Sequence, residues 1–256
     1  MTVEAAAAGT ADTAPGTPVL EVDGLSAFYG HVRALFDVSF TVAPGASVAL
    51  VGANGAGKST VARVVTGLVP AGGGTVRIDG ADVTGHPPWD IARRGVTHVT
   101  EGRSVFSSLT VEENLVLTFR AELGAAAVPA ALERVFGTFP RLGERRGQSA
   151  GTLSGGEQRM LALARALGAP QRLLVVDELS FGLAPVIVEQ VYAALDDVRA
   201  DGCALLLIEQ HVDRALRAAD HVVVLRKGAV VAAGTPAELS ASLDELVLGP
   251  GPAEAG

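Results

Sequence analysis

The chain has 256 residues and a net charge of −8, with a sequence pI near 5.1, which excludes nucleic-acid binders that depend on a basic surface. Its mean hydropathy is +0.36, yet no apolar run approaches the roughly 20 residues of a membrane-spanning helix, so that class of membrane protein is excluded too. The single cysteine, Cys203, excludes an intramolecular disulfide and is expected to be a small buried apolar residue.

The two ends of the chain differ in composition from its middle. Residues 1–18 are rich in Ala, Thr, Gly and Pro and have neither a basic start nor a long apolar stretch, so they are predicted to be a disordered tail and not a signal peptide. Residues 249–256 are rich in Pro, Gly and Ala and are also predicted to be disordered. One domain is therefore expected over residues 19–248.

Short apolar runs in the first third of the domain predict β-strands. The runs are followed by turn signals, of which Asp79-Gly80 is typical of a hairpin. We expect these pieces to form a small antiparallel sheet. The predicted strands are residues 19–22, 34–42, 47–51 and 75–78.

Two aromatic residues follow the first predicted strand. Phe28 and Tyr29 are predicted to lie in a loop that ends at Gly30. An aromatic ring there could stack on a nucleotide base, although an exposed tyrosine in a turn is also common. Position alone leaves both interpretations of Tyr29 open.

A glycine-rich run, GANGAGKST at residues 52–60, follows an apolar strand and opens into a predicted helix. It matches the phosphate-binding loop in the strand–loop–helix setting that this loop requires. Its glycines can adopt positive φ, so backbone N–H groups turn inward toward phosphate oxygens at a helix start. The Lys58 ammonium is expected on the β- and γ-phosphates, and the Ser59 hydroxyl on Mg²⁺. The glycines are Gly52, Gly55 and Gly57.

A helical subdomain is predicted over about residues 102–166. Thr110 and Glu113 have the spacing of a capping box, which predicts the start of its first helix. The helical pattern beyond that helix is expected to break at Gly137 and at Pro140.

A second glycine-rich turn, LSGGEQ at residues 153–158, opens another predicted helix. Gly155 and Gly156 leave backbone N–H groups free at the positive end of that helix, which suits an anion. An ordinary helix cap is the alternative interpretation.

Two acidic residues end a buried strand of the parallel type at residues 172–178. Open α/β sheets bind ligands at the carboxyl ends of such strands. Asp177 is therefore expected to reach Mg²⁺ through water, and Glu178 to orient or deprotonate an attacking water. His211 follows the next predicted strand, which places it well to touch a γ-phosphate, although a lone histidine is usually structural.

The remaining elements complete an alternating pattern. A helix is predicted from Pro185 to about Ala200, then a buried strand at residues 204–208, a final strand pair and a helix capped by Thr235. We therefore predict an α/β fold: a P-loop NTPase core with a mostly parallel sheet, an antiparallel β subdomain and an α-helical subdomain.

With these motifs in order, the chain resembles the ATP-binding subunit of an ABC transporter, from Val19 to Leu248. Residues 153–158 match the family signature, which other phosphate-loop enzymes lack. The resemblance implies ATP and Mg²⁺ as ligands, with Tyr29 stacking on adenine. It implies catalytic roles for Glu178, His211 and Lys58, and metal contacts for Ser59, Glu101 and Asp177. It implies nucleotide contacts for Gly52, Asn54, Gly55, Gly57, Lys58, Ser59, Thr60, Ser154, Gly155, Gly156 and Glu157, the last four toward the ATP of a second subunit.

Three positions depart from the family pattern. Glu101 stands where the family usually has a glutamine, and its flanking residues are similar to the branched-chain amino acid uptake subfamily. Ala184 stands where many relatives carry an aspartate that couples the two ATP sites. Leu179 stands where a proline usually follows the catalytic glutamate. Neither Leu179 nor Ala184 removes a group that does chemistry.

The resemblance implies a motor subunit on the cytoplasmic face of the membrane. Its expected partners are integral membrane permease subunits, a second ATP-binding subunit in a homo- or heterodimer and, indirectly, a substrate-binding protein, with no nucleic acid. The first hypothesis is an importer of branched-chain or other hydrophobic amino acids. The alternatives are a soluble ABC-type ATPase and an exporter subunit.

Overall fold

The fold is described by a computed structural model that covers residues 16–100, 105–178, 183–240 and 243–248. Within these ranges the chain forms ten β-strands, ten α-helices and two short 3₁₀ turns, at Ala125–Ala127 and Ala150–Thr152. The strands are β1 (Leu20–Tyr29), β2 (Val32–Val42), β3 (Ser47–Val51), β4 (Gly73–Ile78), β5 (Ala81–Asp82), β6 (Val96–Val99), β7 (Leu173–Asp177), β8 (Ala204–Glu209), β9 (His221–Arg226) and β10 (Ala229–Gly234). The helices are α1 (Lys58–Val65), α2 (Pro88–Ala92), α3 (Val111–Leu123), α4 (Val128–Thr138), α5 (Pro140–Gly143), α6 (Gly155–Leu167), α7 (Pro185–Ala200), α8 (Val212–Ala218), α9 (Pro236–Leu239) and α10 (Leu243–Leu248).

The central sheet has six strands in the order β10-β9-β3-β8-β7-β6. All neighbours pair in parallel except β10, which forms an antiparallel hairpin with β9. Every residue of β3, β7 and β8 is buried, as expected for strands that are covered on both faces and rich in Leu, Val and Ile. The predicted mostly parallel sheet is confirmed.

A second, antiparallel sheet has the strand order β2-β1-β4-β5, which confirms the predicted antiparallel unit and its hairpin at Asp79-Gly80. Two details were predicted wrongly. Residues 47–51 pair with β8 and β9 in the central sheet and not with this one. Phe28 and Tyr29 are not in a loop, because they pair with Arg33 and Val32 at the end of β1. Register shifts after Val22 let this strand continue past a glycine that breaks the alternation of apolar residues.

The first helix between β6 and β7 begins as predicted, but only one of the two breaks predicted after it is present. Thr110 caps α3 with a capping box. In contrast to the prediction, α4 runs through Gly137 and ends at Thr138, and the break falls at Pro140, which begins α5. A glycine in a last helical turn costs little, whereas a proline cannot donate the backbone hydrogen bond that would continue the helix.

Two apolar clusters cover the central sheet, one on each face. One contains the side chains of helices α3 to α8, and the other contains α1 and the antiparallel sheet. Cys203 is buried, as expected. Val19 is fully buried before β1, while the tails predicted at residues 1–18 and 249–256 lie mostly or wholly outside the described residues. In the described part of the chain, no helix combines the length and the apolar character that crossing a membrane requires.

Candidate nucleotide-binding site

The phosphate loop connects β3 at the middle of the sheet to α1. Gly57 is the N-cap of α1 and has φ 105°, a conformation that favours glycine. Gly52 also has a positive φ, of 159°, as expected. A Cβ at that position would lie 2.2 Å from the carbonyl oxygen of Leu225. The loop is therefore shaped both by helix capping and by the close approach of β9.

Lys58 lies in the centre of the site with 5% of its surface exposed. Its Nζ donates to the carbonyl oxygens of Gly52 at 2.8 Å and Ala53 at 3.2 Å. Burial lowers the pKa of Lys58, and the carboxylates of Glu178, Asp177 and Glu209 oppose that shift. The lysine thus supplies one cation among three acidic groups.

Ser59 and Asp177 meet beside this lysine. The Ser59 hydroxyl donates to Oδ1 of Asp177 at 3.1 Å, and Asp177 ends β7 with 5% of its surface exposed. A hydroxyl and a carboxylate oxygen are hard ligands of the kind that Mg²⁺ prefers, so this pair fits the ion. Among the described residues no group of three or more His, Cys, Asp and Glu side chains could hold a metal. Mg²⁺ commonly takes further ligands from phosphate and water.

Glu178 follows directly in an unusual backbone conformation. Its φ is 50°, which is uncommon for a residue with a side chain and costs on the order of 1 kcal/mol. Its N–H donates to the carbonyl oxygen of Ile208 at 2.9 Å. The turn places Glu178 in the wall of the same cavity as the phosphate loop.

The cavity has a volume of about 460 Å³. It brings Tyr29 together with most of the residues of the phosphate loop that were predicted to contact the nucleotide. The Tyr29 hydroxyl accepts a hydrogen bond from Arg63 at 3.5 Å. Tyr29 is 45% exposed at the cavity mouth. The lining consists of residues 54–60 with Tyr29, Val32, Arg33, Ala34, Glu178 and Lys227.

Four lining residues from outside the phosphate loop and its helix were not predicted. Val32, Arg33 and Ala34 come from β2, and the Arg33 guanidinium lies 4.7 Å from the Phe36 ring centre and 5.9 Å from that of Phe28. Lys227 lies in the β9–β10 turn. A hydrogen bond of 2.9 Å, from Gly228 N–H to the Ala56 carbonyl oxygen, joins this turn to the phosphate loop. One signal was present in the sequence: Lys58 and Lys227 are its only two lysines.

The signature residues lie at the start of α6 and not in this cavity. The Ser154 hydroxyl accepts from Glu157 N–H, while Ser154 N–H donates to the Glu157 carboxylate at 3.0 Å. Arg145 approaches that carboxylate at 2.9 Å. Gly155 and Gly156 form the first turn. The structure therefore shows that these residues form a helix cap. The backbone N–H groups of the first turn lie at the N-terminal end of α6.

One further predicted residue is absent from the cavity lining, and another cannot be placed. His211 is the exposed N-cap of α8 beyond the end of β8, and it is absent from the lining described above. Glu101 lies outside the described residues. A residue that the sequence did not single out, Glu209, is 2% exposed at the end of β8 and accepts a hydrogen bond from Tyr192 at 3.0 Å. Burial raises the pKa of Glu209.

Comparisons with known proteins identify the family. A family model described as "ABC transporter" matches residues 35–180. The branched-chain amino acid transport ATP-binding protein BraG of Pseudomonas aeruginosa is 44% identical over 222 residues, covering 86% of this chain and 94% of that protein. The lipopolysaccharide export ATP-binding protein LptB of Escherichia coli is 34% identical, covering 86% and 92%.

A solved structure of an ATP-binding subunit of an ABC transporter superposes with a TM-score of 0.81 at 30% identity, covering 89% of this chain and 97% of that one. The sequence match, the shared fold and the phosphate loop facing Asp177 and Glu178 agree. The chain belongs to the ABC transporter family and is one of its ATP-binding, ATP-hydrolysing subunits.

Proposed function

We propose that this subunit drives an importer of branched-chain or other hydrophobic amino acids. The observation that carries the proposal is the similarity to BraG along most of both chains. An exporter is the second candidate, because the match to LptB is nearly as extensive. Higher identity favours the importer.

The residues of the cavity divide the ATPase chemistry among them. Lys58 binds the β- and γ-phosphates, aided by the N–H groups of residues 52–60 and the start of α1. Ser59 and Asp177 would hold Mg²⁺, Asp177 through water, and Glu101, which follows β6 in the sequence, is the third proposed metal contact. When bound, Mg²⁺ neutralises phosphate charge that develops during transfer. Glu178 accepts the proton of the attacking water.

The ends of ATP are assigned to residues at the edges of the site. Tyr29 stacks on adenine at the cavity mouth. His211, at the end of the strand beside the Asp177 strand, approaches the γ-phosphate on closure. Ser154, Gly155, Gly156 and Glu157 contact the ATP of a second subunit, which explains why they lie outside the cavity of their own chain.

The proposed assembly is a head-to-tail pair of ATP-binding subunits on permease subunits at the cytoplasmic face of the membrane. Hydrolysis separates the pair, and the helices from α3 to α6 transmit the change to the permease. Such coupling requires contacts that differ between the two states. A substrate-binding protein delivers the amino acid on the opposite side.

Phe106 is our candidate for the edge that meets the permease. It is 46% exposed, so it does not fill the subdomain core. The Arg165 guanidinium lies 4.9 Å from its ring centre. Its backbone is fixed by the buried Asn114, which accepts from Phe106 N–H at 2.8 Å and donates to its carbonyl oxygen at 3.0 Å. A cleft of about 140 Å³ between β6, α3 and α6 also includes Arg165 in its lining.

The test of the proposal is transport by the whole complex. We expect vesicles that contain the subunit, its permease subunits and their binding protein to accumulate leucine, isoleucine or valine when ATP is present on the subunit side. Radiolabelled uptake measures this directly. ATP-driven movement away from the subunit side, or no stimulation of ATPase activity by any of these amino acids, would contradict an importer of this class.

Phe106→Ala is expected to leave basal ATPase activity of the isolated subunit within a few-fold of wild type and to abolish permease-dependent uptake. The reason is that the ring is exposed and lies outside the nucleotide cavity. Leu68→Ala is a matched control, since Leu68 is 53% exposed outside the helical region. Equal loss of both activities would indicate damage to the fold, and normal uptake would place the docking surface elsewhere.

A further inference from the structure

The signature helix α6 is joined directly to the turn that carries Glu178. Arg159 lies in the second turn of α6, and its Nη2 donates to the carbonyl oxygen of Asp177 at 3.2 Å and to that of Glu178 at 2.5 Å. Hydrogen bonds from a guanidinium are stronger than those between neutral groups, and its planar shape fixes direction as well as distance. One side chain therefore holds two successive carbonyl groups at the end of β7.

This turn needs an external restraint. Glu178 has a positive φ of 50°, which a residue with a side chain retains only when its surroundings impose it. Its own N–H is bonded to Ile208, and the next residue in the sequence, Leu179, lacks the fixed φ of a proline. The Arg159 bonds supply a restraint on the carbonyl side of the same residue.

The helix that carries Arg159 begins at the signature. Ser154 caps α6, and Arg159 follows five positions later on the same short segment of helix. A rigid helix passes a displacement at its first turn to its second turn. Any ligand that moves Ser154 therefore moves the guanidinium that holds Glu178, without a wider rearrangement of the subunit.

From these contacts we infer that Arg159 is a positioning residue that fixes the orientation of the Glu178 carboxylate. Through Arg159, this orientation depends on whether a ligand occupies the Ser154 end of α6. The inference rests on the proposed roles of Glu178 and Ser154. It assigns a link between the two ATP sites of a dimer to a side chain within one subunit. In this role Arg159 acts on Glu178 through the backbone carbonyl groups of residues 177–178.

The first test compares Arg159→Ala and Arg159→Lys with wild type. We expect kcat for ATP to fall about 10- to 100-fold in Arg159→Ala, because small misplacement of a catalytic group has effects of this size, while KM stays within about twofold. Arg159→Lys should recover part of kcat, since an ammonium can bond one carbonyl oxygen. Arg120→Ala on α3, an exposed position, is the matched control with unchanged kinetics.

Chemical rescue separates positioning from packing. Added guanidinium ion at millimolar concentration, with sodium chloride as the ionic-strength control, is expected to raise kcat of Arg159→Ala several-fold and to leave wild type and Arg120→Ala unchanged. A lower melting temperature together with slow, unrescued turnover would show that Arg159 only stabilises the fold. Unchanged kcat in Arg159→Ala would also overturn the inference.

A double-mutant cycle tests the link to the signature. If Arg159 transmits the state of Ser154, the combined Ser154→Ala and Arg159→Ala variant should be about as slow as the slower single variant. If the rate losses of the two single variants multiply in the double variant, Arg159 does not transmit the state of Ser154. The proposed role of Glu178 is decided independently by Glu178→Gln, so a failure of that role and a failure of Arg159 are distinguishable.

Discussion

Glu178→Gln is expected to bind ATP with near wild-type affinity while its rate of hydrolysis falls by about 10²–10⁴, the range typical of losing a general base. The glutamine keeps the shape and most of the hydrogen bonding of the side chain but cannot accept a proton. The positive φ of residue 178 is as accessible to glutamine as to glutamate, so the turn should be unchanged. Single-turnover ATPase assays and equilibrium ATP binding measure the two quantities.

Glu209 is a second glutamate near Lys58, and it serves as a control for the assignment of Glu178 as the general base. The negative charge of Glu209 also raises the pKa of Lys58. Its side chain, however, is only 2% exposed and accepts a hydrogen bond from Tyr192. Burial also raises its pKa, which opposes ionisation. Glu209→Gln is therefore expected to slow hydrolysis by less than about tenfold, since it removes no group in contact with the attacking water. The reverse ranking of the two variants would assign the base to Glu209.

The same Glu178→Gln variant should accumulate as an ATP-bound dimer, because hydrolysis is what separates the subunits in the proposed cycle. Light scattering at saturating ATP and Mg²⁺ measures its mass, with the subunit alone and mixed with any second ATP-binding subunit encoded beside it. A monomer in both samples would contradict the sandwich arrangement proposed for Ser154 and its neighbours.

The parts of this fold that depend on local sequence could be predicted, and those that depend on distant contacts could not. The phosphate loop, the capping boxes at Thr110 and Ser154 and the buried run of β7 are each specified by a few neighbouring residues. The end of β1 was predicted wrongly because bulges interrupt its alternation, and bulges follow from pairing with another strand. Local chemistry thus gives element positions more reliably than strand lengths.

The nucleotide cavity shows the same division. Lys58 and Ser59 follow from the loop pattern, and Asp177 and Glu178 from their place at a strand end. Lys227 reaches the cavity only because its turn is bonded to Ala56, far away in sequence. The Arg159 contact depends in the same way on how α6 packs against the end of β7. Neither the Lys227 position nor the Arg159 contact is encoded by a local sequence motif. The sequence gives only a compositional signal, and only for Lys227, because lysine is scarce in this chain.

Lys58→Ala is expected to lose ATP hydrolysis almost completely, by more than about 10²-fold, as for other preorganised groups that stabilise charge in the transition state. The structure gives the physical reason. The Lys58 ammonium bonds the phosphate loop and interacts electrostatically with the carboxylates of Glu178, Asp177 and Glu209. Without the Lys58 ammonium, the phosphates of ATP would bring further negative charge toward the carboxylates of Asp177 and Glu178.

Two measurements make this prediction specific to the ammonium group. Circular dichroism should show an intact fold, because the bonds lost are those from Nζ to the carbonyl oxygens of Gly52 and Ala53. Lys227→Ala, which removes the only other lysine from the same cavity wall, should raise KM a few-fold with little change in kcat, as expected for a contact made equally in the ground and transition states. A Lys58→Ala protein with wild-type turnover, or a Lys227→Ala protein with the larger loss of kcat, would move the phosphate-binding role away from Lys58.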